Sequence, residues 1–316
     1  MQGVILAAGK GSRLHPLTLS RSKAMIPILG KPIVERVLET FVENGVDEVI
    51  LVVSRLDGDV CTHFAHFDRL PVKLEFVEQW ERLGMANALS LAAPRIHGPF
   101  LMSACDNLTP SEHIGEMLAH HRETQAEGTL SLMRIDPSLV SRTGIVVWED
   151  DHVRGIVEKP SRDEAPSNIS SLPLYVFSQR ILDYLPRIAM SKRGEYELQD
   201  AIQMLIDETD RVTGVFTDHR LQLTNASDLL ALNRHYLMEG GDVPQLAPQS
   251  VGRHTHLITP LRIEEGTTIG AGCVIGPRVY IERDCRIGND VLIKDAVILR
   301  GSAVEEGSQI VGKVIS

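Results

Sequence analysis

Between residues 251 and 316 large apolar side chains return every six positions, at Val251, Leu257, Ile263, Ile269, Ile275, Ile281, Ile287 and Ile293. A second stripe stands four residues after each, at Thr255, Leu261, Thr267, Cys273, Val279, Cys285, Val291 and Val297. The register then shortens by one residue and resumes at Ile298, Val304 and Ile310, with Ser302, Ser308 and Val314 in the second stripe. One large and one small inward residue per six specifies short parallel strands joined by corners and stacked as a solenoid. Gly270, Gly276 and Gly288 directly follow the main apolar residue, where the chain must turn. A stack of roughly three and a half coils has exposed ends. A homo-oligomer to which this region contributes is therefore expected.

The pattern resembles the hexapeptide-repeat left-handed β-helix, and the handedness comes from that resemblance. Up to about residue 240 the chain reads differently. Gly3–Ala7 and Val49–Val53 are compact apolar runs of the kind buried on both faces of a parallel sheet. Between them Pro32 opens a stretch with apolar residues at Ile33, Val34, Val37, Leu38, Phe41 and Val42, a helical spacing closed by Gly45. Strand, helix, strand reads as a βαβ unit. Runs at 73–77, 99–104, 128–134 and 174–177 extend the sheet, and helices at 111–124, 197–207 and 227–239 would cover it. Residues 1–240 thus form an α/β domain, 241–250 a linker rich in Gly and Pro, and 251–316 the solenoid.

The net charge of −10 argues against an electrostatic nucleic-acid binder. All of that charge lies before residue 251, because the solenoid holds equal numbers of basic and acidic residues. No apolar run reaches the ~18–20 residues of a membrane-spanning helix, and no basic region precedes the first apolar run. Cys61, Cys105, Cys273 and Cys285 are scattered without a CxxC, so neither a disulfide framework nor a zinc site is indicated. A cytoplasmic location follows as the expectation. His120-His121 and His254-x-His256 lack carboxylate or thiol partners at ligand spacing and read as ordinary core or surface residues.

The richest segment is Leu6-Ala7-Ala8-Gly9-Lys10-Gly11-Ser12-Arg13, directly after the first predicted strand. Small residues at a strand's end let backbone N–H groups approach a phosphate or base closely. Arg13 adds a planar cation suited to phosphate oxygens, and Lys23 a compact one. The spacing matches neither a P-loop nor a GxGxxG dinucleotide turn.

From Gly3 to Glu35, with Ser22-Lys23-Ala24-Met25-Ile26-Pro27 and Gly30-Lys31-Pro32, the chain resembles the sugar-1-phosphate nucleotidylyltransferases of the glucose-1-phosphate thymidylyl- and uridylyltransferase type. The resemblance implies a Rossmann-like domain with a mixed, mainly parallel sheet, followed here by the short left-handed parallel β-helix. It also implies roles. Leu6, Ala8, Gly9 and Gly11 would line the nucleotide, while Gln79 and Gly84 in Gln79-Trp80-Glu81-Arg82-Leu83-Gly84-Met85 would contact a pyrimidine. An amide that donates and accepts suits the imide edge of uracil or thymine. Arg13, Lys23 and Asp106 would be catalytic, Asp106 holding magnesium. Gly144, Glu158, Lys159 and Asn168 would form the sugar-phosphate site. Arg193-Gly194-Glu195-Tyr196-Glu197-Leu198-Gln199-Asp200 matches a further family string.

Several positions depart from the family's pattern. Cys105 replaces the usual Gly before Asp106, Thr143 the usual Tyr before Gly144, and Leu172-Pro173 a common Ala-Gly. Gln222 takes the position of the second metal-binding Asp, with Asn225 nearby as an alternative. A neutral amide oxygen can ligate magnesium, but it removes one negative charge. The expected reaction joins UTP or dTTP to a sugar 1-phosphate with release of pyrophosphate. Met85 after Gly84 is more like relatives that use glucose 1-phosphate than those that use N-acetylglucosamine 1-phosphate. Neither nucleic acid nor membrane is an expected partner. The rival is a non-catalytic homologue that binds a nucleotide sugar and regulates or scaffolds another protein, motivated by Cys105 and Gln222.

Overall fold

The computed structural model describes residues 1–55, 58–65, 67–239 and 246–316, so the first half of the expected linker, with Gly240 before it, lies outside the described residues. The described residues form two compact units, one of residues 1–10 with 34–221 and one of residues 11–33 with 222–316.

The first unit is built on one sheet. Its strands are β1 (Gln2–Leu6), β2 (Glu48–Ser54), β3 (Lys73–Gln79), β4 (Phe100–Ala104), β5 (Gly128–Arg134), β6 (Gly144–Glu149), β7 (His152–Glu158), β8 (Ile169–Phe177) and β9 (Val212–Phe216). They run in the order β7-β6-β8-β4-β1-β2-β3, with β5 on the other side of β8 and β9 beyond it. The ladders β4-β1-β2-β3 and β5-β9 are parallel, whereas β8 runs antiparallel to β4, β5 and β6. The expected α/β sheet, mixed and mainly parallel, is the one observed. Every residue of β1 and all but Glu48 of β2 are buried, as continuous apolar runs require at the centre of a parallel sheet. Helix α1 (Ile33–Glu43) makes the crossover between them and buries Ile33, Val34, Val37, Leu38 and Phe41.

Several elements were not legible in the sequence, β9 among them. Strands β6 and β7 form a hairpin through Asp150 and Asp151, both at positive φ (48° and 59°). Such a turn matches the twist of the strands, but Asp-Asp is not the usual signal for it. Helices α2 (Gly58–Phe64) and α3 (Met85–Ala92) are short, and α3 begins inside the motif around Gly84. Pro173 sits where β8 loses register with β5, between Ser171 and Tyr175, and changes neighbour from β6 to β4. A residue without an N–H is tolerated at such an irregularity.

Helix α4 (Ser111–Thr124) docks onto the sheet through histidines. His113 Nε2 lies 2.8 Å from Ser131 Oγ, His121 Nδ1 3.0 Å from Thr129 Oγ1, and His120 Nε2 3.1 Å from Thr213 Oγ1. His120 and His121 are therefore structural, as expected, with buried strand hydroxyls as partners for His113 and His121. No helix among the described residues is long and apolar enough to cross a membrane.

The second unit contains the solenoid. Its strands stack in three parallel sheets, consistent with the left-handed β-helix, in which Val251 pairs with Ile269 and that with Ile287, and Leu257 with Ile275 and that with Ile293. Early coils pair residues 18 apart, as in Ile263 with Ile281, while Ile281 with Ile298 and Ile293 with Ile310 are 17 apart. The one-residue shortening thus falls in the corner after Ile293. The small second stripe has a hydrogen-bonding purpose. Thr267 Oγ1 donates to the Glu282 carbonyl at 3.2 Å, Cys273 Sγ reaches the Gly288 carbonyl at 3.1 Å, and Cys285 Sγ the Leu299 carbonyl at 3.2 Å. Buried corner carbonyls thereby find partners. A Cβ on Gly270 would lie 2.5 Å from the Gly288 carbonyl oxygen, so the corner there admits only glycine.

Helix α6 (Ala226–Glu239) belongs to this unit and packs on strands 296–298 and 314–315. Its start is a reciprocal cap: Asn225 Oδ1 accepts from the Asp228 N–H at 3.0 Å, and Asp228 Oδ2 accepts from the Thr224 and Asn225 N–H groups.

Burial holds His113 and His121 below the ordinary histidine value, against weaker opposing pulls from Glu116 and Glu127. A base whose pKa is depressed in the folded state loses stability as pH falls below its unfolded value, about 6.5. The urea midpoint is expected to drop between about pH 7 and pH 5, and His113→Gln, which keeps a polar partner for Ser131, should flatten that slope. An unchanged slope in the variant would contradict the assignment.

Candidate active site

In an α/β sheet, ligands sit outside the carboxyl ends of the parallel strands. Three such ends in the first unit carry predicted residues, those of β1, β3 and β4. Past Leu6 the chain stays in the ladder for one more residue, where the Ala7 N–H donates to Val52 O at 2.7 Å. The Cys105 N–H donates to Leu6 O at 3.1 Å, which ties the end of β4 to the end of β1. Ala8 is buried and Gly9 exposed, with nothing within 4 Å of where a Cβ would stand. Asp106, half-buried, occupies the turn directly after β4 and Cys105. Cys105, in place of glycine, is accommodated as a buried side chain.

Gln79 closes β3 and is buried. Its Nε2 donates to Asn87 Oδ1 at 2.8 Å and to the Gly84 carbonyl at 3.2 Å, so both donors of the amide are spent within the protein. A base expected here would meet the acceptor oxygen of the side chain, a narrower capacity than the sequence suggested. Gly84 begins α3 at φ 99°, and a Cβ there would lie 2.6 Å from Tyr196 O. The Tyr196 N–H donates to Leu83 O at 2.7 Å, and the Ala86 N–H to Tyr196 O at 3.2 Å. Two motifs far apart in sequence are thereby stitched backbone to backbone.

Three of the residues expected at a sugar phosphate, Gly144, Glu158 and Lys159, lie on or directly after the β6–β7 hairpin. Gly144 and Glu158 are direct partners across it. A Cβ at Gly144 would come to 3.2 Å from Glu158 Oε2, and that buried oxygen has no hydrogen-bond partner among the described residues. Glu158 Oε1 pairs with Lys159 Nζ at 2.9 Å and lies 3.5 Å from Arg193 Nη2. Arg193 also meets Glu197 Oε1 at 2.7 Å, which accepts from Ser191 Oγ at 2.8 Å as well. Burial works against the charge of Arg193, but the hydrogen bond and charge of Glu197, with Glu158 behind, hold it above the ordinary arginine value. Glu197 is a buried anchor at the start of α5 (Leu198–Thr209), while Glu195 is exposed. Sequence reasoning did not single out Arg193; its place in the Gly-Glu-Tyr-Glu string was the available signal.

Asn168 stands apart from this cluster in its bonding, because its Nδ2 donates to Ile135 O at 3.1 Å. Thr143, in place of tyrosine, bonds Ser170 Oγ at 2.8 Å. The remaining predicted residues lie in the second unit. Gly11 (φ 63°) precedes a short 3-10 turn that carries exposed Arg13, half-buried Lys23 opens another, and Gln222 is half-buried.

Among the described residues no cluster of three or more His, Cys, Asp and Glu side chains could hold a metal. Magnesium needs no such cage, since one or two carboxylates with substrate phosphates suffice. Asp106 at a strand end, beside an Asn107 Oδ1 that is buried with no partner among the described residues, fits that demand. Asn225 does not, because its side-chain oxygen is committed to the cap of α6.

The family model described as "Nucleotidyl transferase" matches residues 2–239, and that described as "GMPPB C-terminal domain" matches residues 257–316. The bifunctional protein GlmU of Methanococcus maripaludis is 33% identical over 239 residues, which is 75% of this chain and 54% of the relative. The chain therefore matches about half of that relative's length. The UTP–glucose-1-phosphate uridylyltransferase AglF of Haloferax volcanii is 32% identical over 207 residues, 65% of this chain and 84% of the relative. The crystal structure of a UDP-glucose pyrophosphorylase complexed with UDP-glucose superposes with a TM-score of 0.68 at 20% identity, covering 75% of this chain and 98% of that one. It shares the fold.

Gly84→Ala is expected to destabilise the protein by about 1–3 kcal/mol, because a Cβ must enter at a left-handed φ and against a carbonyl oxygen. Gly9→Ala, with open space around it, should stay within about 0.5 kcal/mol. Denaturant unfolding of the two variants checks the contrast, and equal midpoints would contradict it.

Proposed function

The chain belongs to the nucleotidyl transferase family, and from that premise we propose that it joins UTP or dTTP to a sugar 1-phosphate, glucose 1-phosphate by the lean of Met85. The observation that carries the sugar side is Glu158, whose Oε2 is buried beside a glycine with no hydrogen-bond partner among the described residues. A buried carboxylate oxygen left unsatisfied is costly, and a sugar hydroxyl would satisfy it. Lys159 and Arg193, drawn to the same carboxyl group, supply the cations that a sugar phosphate needs.

In the proposed reaction a phosphate oxygen of the sugar phosphate attacks the α-phosphorus in line. The bond from the α-phosphorus to the bridging oxygen breaks, and pyrophosphate leaves with that electron pair. Such chemistry depends on positioning and charge neutralisation more than on covalent help. Leu6, Ala8, Gly9 and Gly11 would line the nucleotide, Gln79 Oε1 would accept from the base's imide N–H, and Gly84 would leave room beside it. Arg13 and Lys23 would bind the triphosphate. Asp106, with Gln222, would hold a magnesium ion, which supplies further neutralisation of phosphate charge. Gly144 clears space for the sugar and Asn168 braces that side. Residues 1–240 would be the catalytic domain, with 251–316 a β-helix domain that supports a homo-oligomer.

Gln222, where a second carboxylate would stand, favours one other reading: a homologue that binds a nucleotide sugar without turning it over. Pyrophosphate release decides between them, with five nucleoside triphosphates crossed against glucose, galactose, mannose and N-acetylglucosamine 1-phosphates. Turnover with UTP or dTTP is expected. Silence across the grid, with a nucleotide sugar still raising the melting temperature, would favour the second reading. Given turnover, Glu158→Gln should raise KM for the sugar phosphate roughly tenfold or more, with KM for the triphosphate little changed. Equal effects on both would contradict the role of Glu158.

A further inference from the structure

The cations assigned above to the triphosphate, Arg13 and Lys23, lie in a segment whose described contacts include a set with the β-helix, within the second unit. Arg21 stands two residues before Lys23. Its Nη1 reaches both carboxylate oxygens of Glu282 at 3.0 Å, and the two side chains are only 11% and 9% exposed. Glu282 follows the inward-facing Ile281 of the solenoid, and its Oε2 also accepts from the Arg300 N–H at 2.8 Å. Further along, the Leu29 N–H donates to Asn233 Oδ1 on α6 at 2.9 Å. Gly30 lies so close to Arg262 and Glu264 that a Cβ would collide with both. The segment is therefore held on the β-helix side at residue 21 and again at residues 29–30.

Within the segment the constraint passes to the cations. The Thr18 hydroxyl donates to Gly11 O at 2.9 Å. A Cβ on Gly11 would come to 3.0 Å from both Lys23 Cβ and Thr18 Cγ2, so Lys23 packs directly over Gly11, two residues from Arg13. Glu282, Arg21, Lys23, Gly11 and Arg13 thus form one mechanically continuous set. An apolar contact would add stability with less demand on geometry, whereas a buried, doubly bonded carboxylate also specifies direction.

We propose that the β-helix is a positioning element for nucleotidyl transfer, with Glu282 acting through Arg21 to hold the segment that presents Arg13 and Lys23. This rests on the reading of those two residues as triphosphate ligands. The test uses the full chain carrying Glu282→Gln, with Glu282→Asp as the conservative variant. Hydrogen–deuterium exchange of the amides at 11–25 should quicken in Glu282→Gln, with strands 261–263 and 279–281 unchanged, and return towards wild type in Glu282→Asp. In the same variant KM for the nucleoside triphosphate should rise roughly ten- to a hundredfold, with KM for the sugar 1-phosphate nearly constant.

Exchange at 11–25 that matches wild type would overturn the proposal, as would acceleration spread evenly over the β-helix. An unchanged triphosphate KM would overturn it too. If Glu282→Gln fails to fold, Arg21→Lys carries the same readouts, since it keeps the charge and loses the guanidinium fork. A wild-type chain silent with every substrate pair refutes nucleotidyl transfer instead, and the exchange measurement still decides whether Glu282 holds the segment.

Discussion

The parallel hydrogen-bonding of β4, β1, β2 and β3 is the constraint from which the first unit's chemistry follows. Because these strands run in one direction, the residues after each of them emerge at one edge of the sheet. The glycine-rich loop follows β1, Gln79 ends β3 and Asp106 follows β4. The bonds Ala7 N–H to Val52 O and Cys105 N–H to Leu6 O carry the ladder just past the strand ends. The loops therefore start from fixed backbone, which is what a site built on positioning demands.

The antiparallel additions serve a different purpose. Strand β8 turns the sheet towards the β6–β7 hairpin, where Glu158, Lys159, Arg193 and Glu197 share a compact charge network. The arrangement leaves one carboxylate oxygen of Glu158 without a partner among the described residues and clears space before it at Gly144. An acidic protein proposed to handle polyanions has to concentrate its cations, and here acidic side chains hold Lys159 and Arg193 in place. Neutralising one member of that set would disturb the rest.

Much of this organisation was legible in the sequence because its signals are local. The runs at 73–77, 99–104 and 128–134, observed as strands 73–79, 100–104 and 128–134, and the helix at 111–124 follow from short-range periodicity, and the six-residue repeat revealed even the missing residue after Ile293. The β6–β7 hairpin escaped because its turn is Asp-Asp, and α3 because a motif with glycine at its start reads as loop. Long-range pairing was invisible for a physical reason. Nothing local says that Tyr196 will bond to Leu83 and Ala86, that both donors of Gln79 are consumed internally, or that Arg21 will find Glu282. His120 and His121 were readable only as structural; their hydroxyl partners required the sheet.

The β-helix changes how the site is understood. Residues 11–33 associate with 222–316 rather than with the sheet that precedes and follows them in the chain. The glycine-rich segment is thus divided at Lys10, its first part belonging to one compact unit and its second part to the other. The most direct measurement of the proposed chemistry is phosphorus NMR of the full chain with magnesium, glucose 1-phosphate and UTP, then dTTP. The account predicts that the triphosphate signals give way to equal amounts of pyrophosphate and a diphosphate diester. Spectra that remain those of the starting materials with both nucleotides and each of the four sugar phosphates, for a chain that a nucleotide sugar still stabilises, would contradict it.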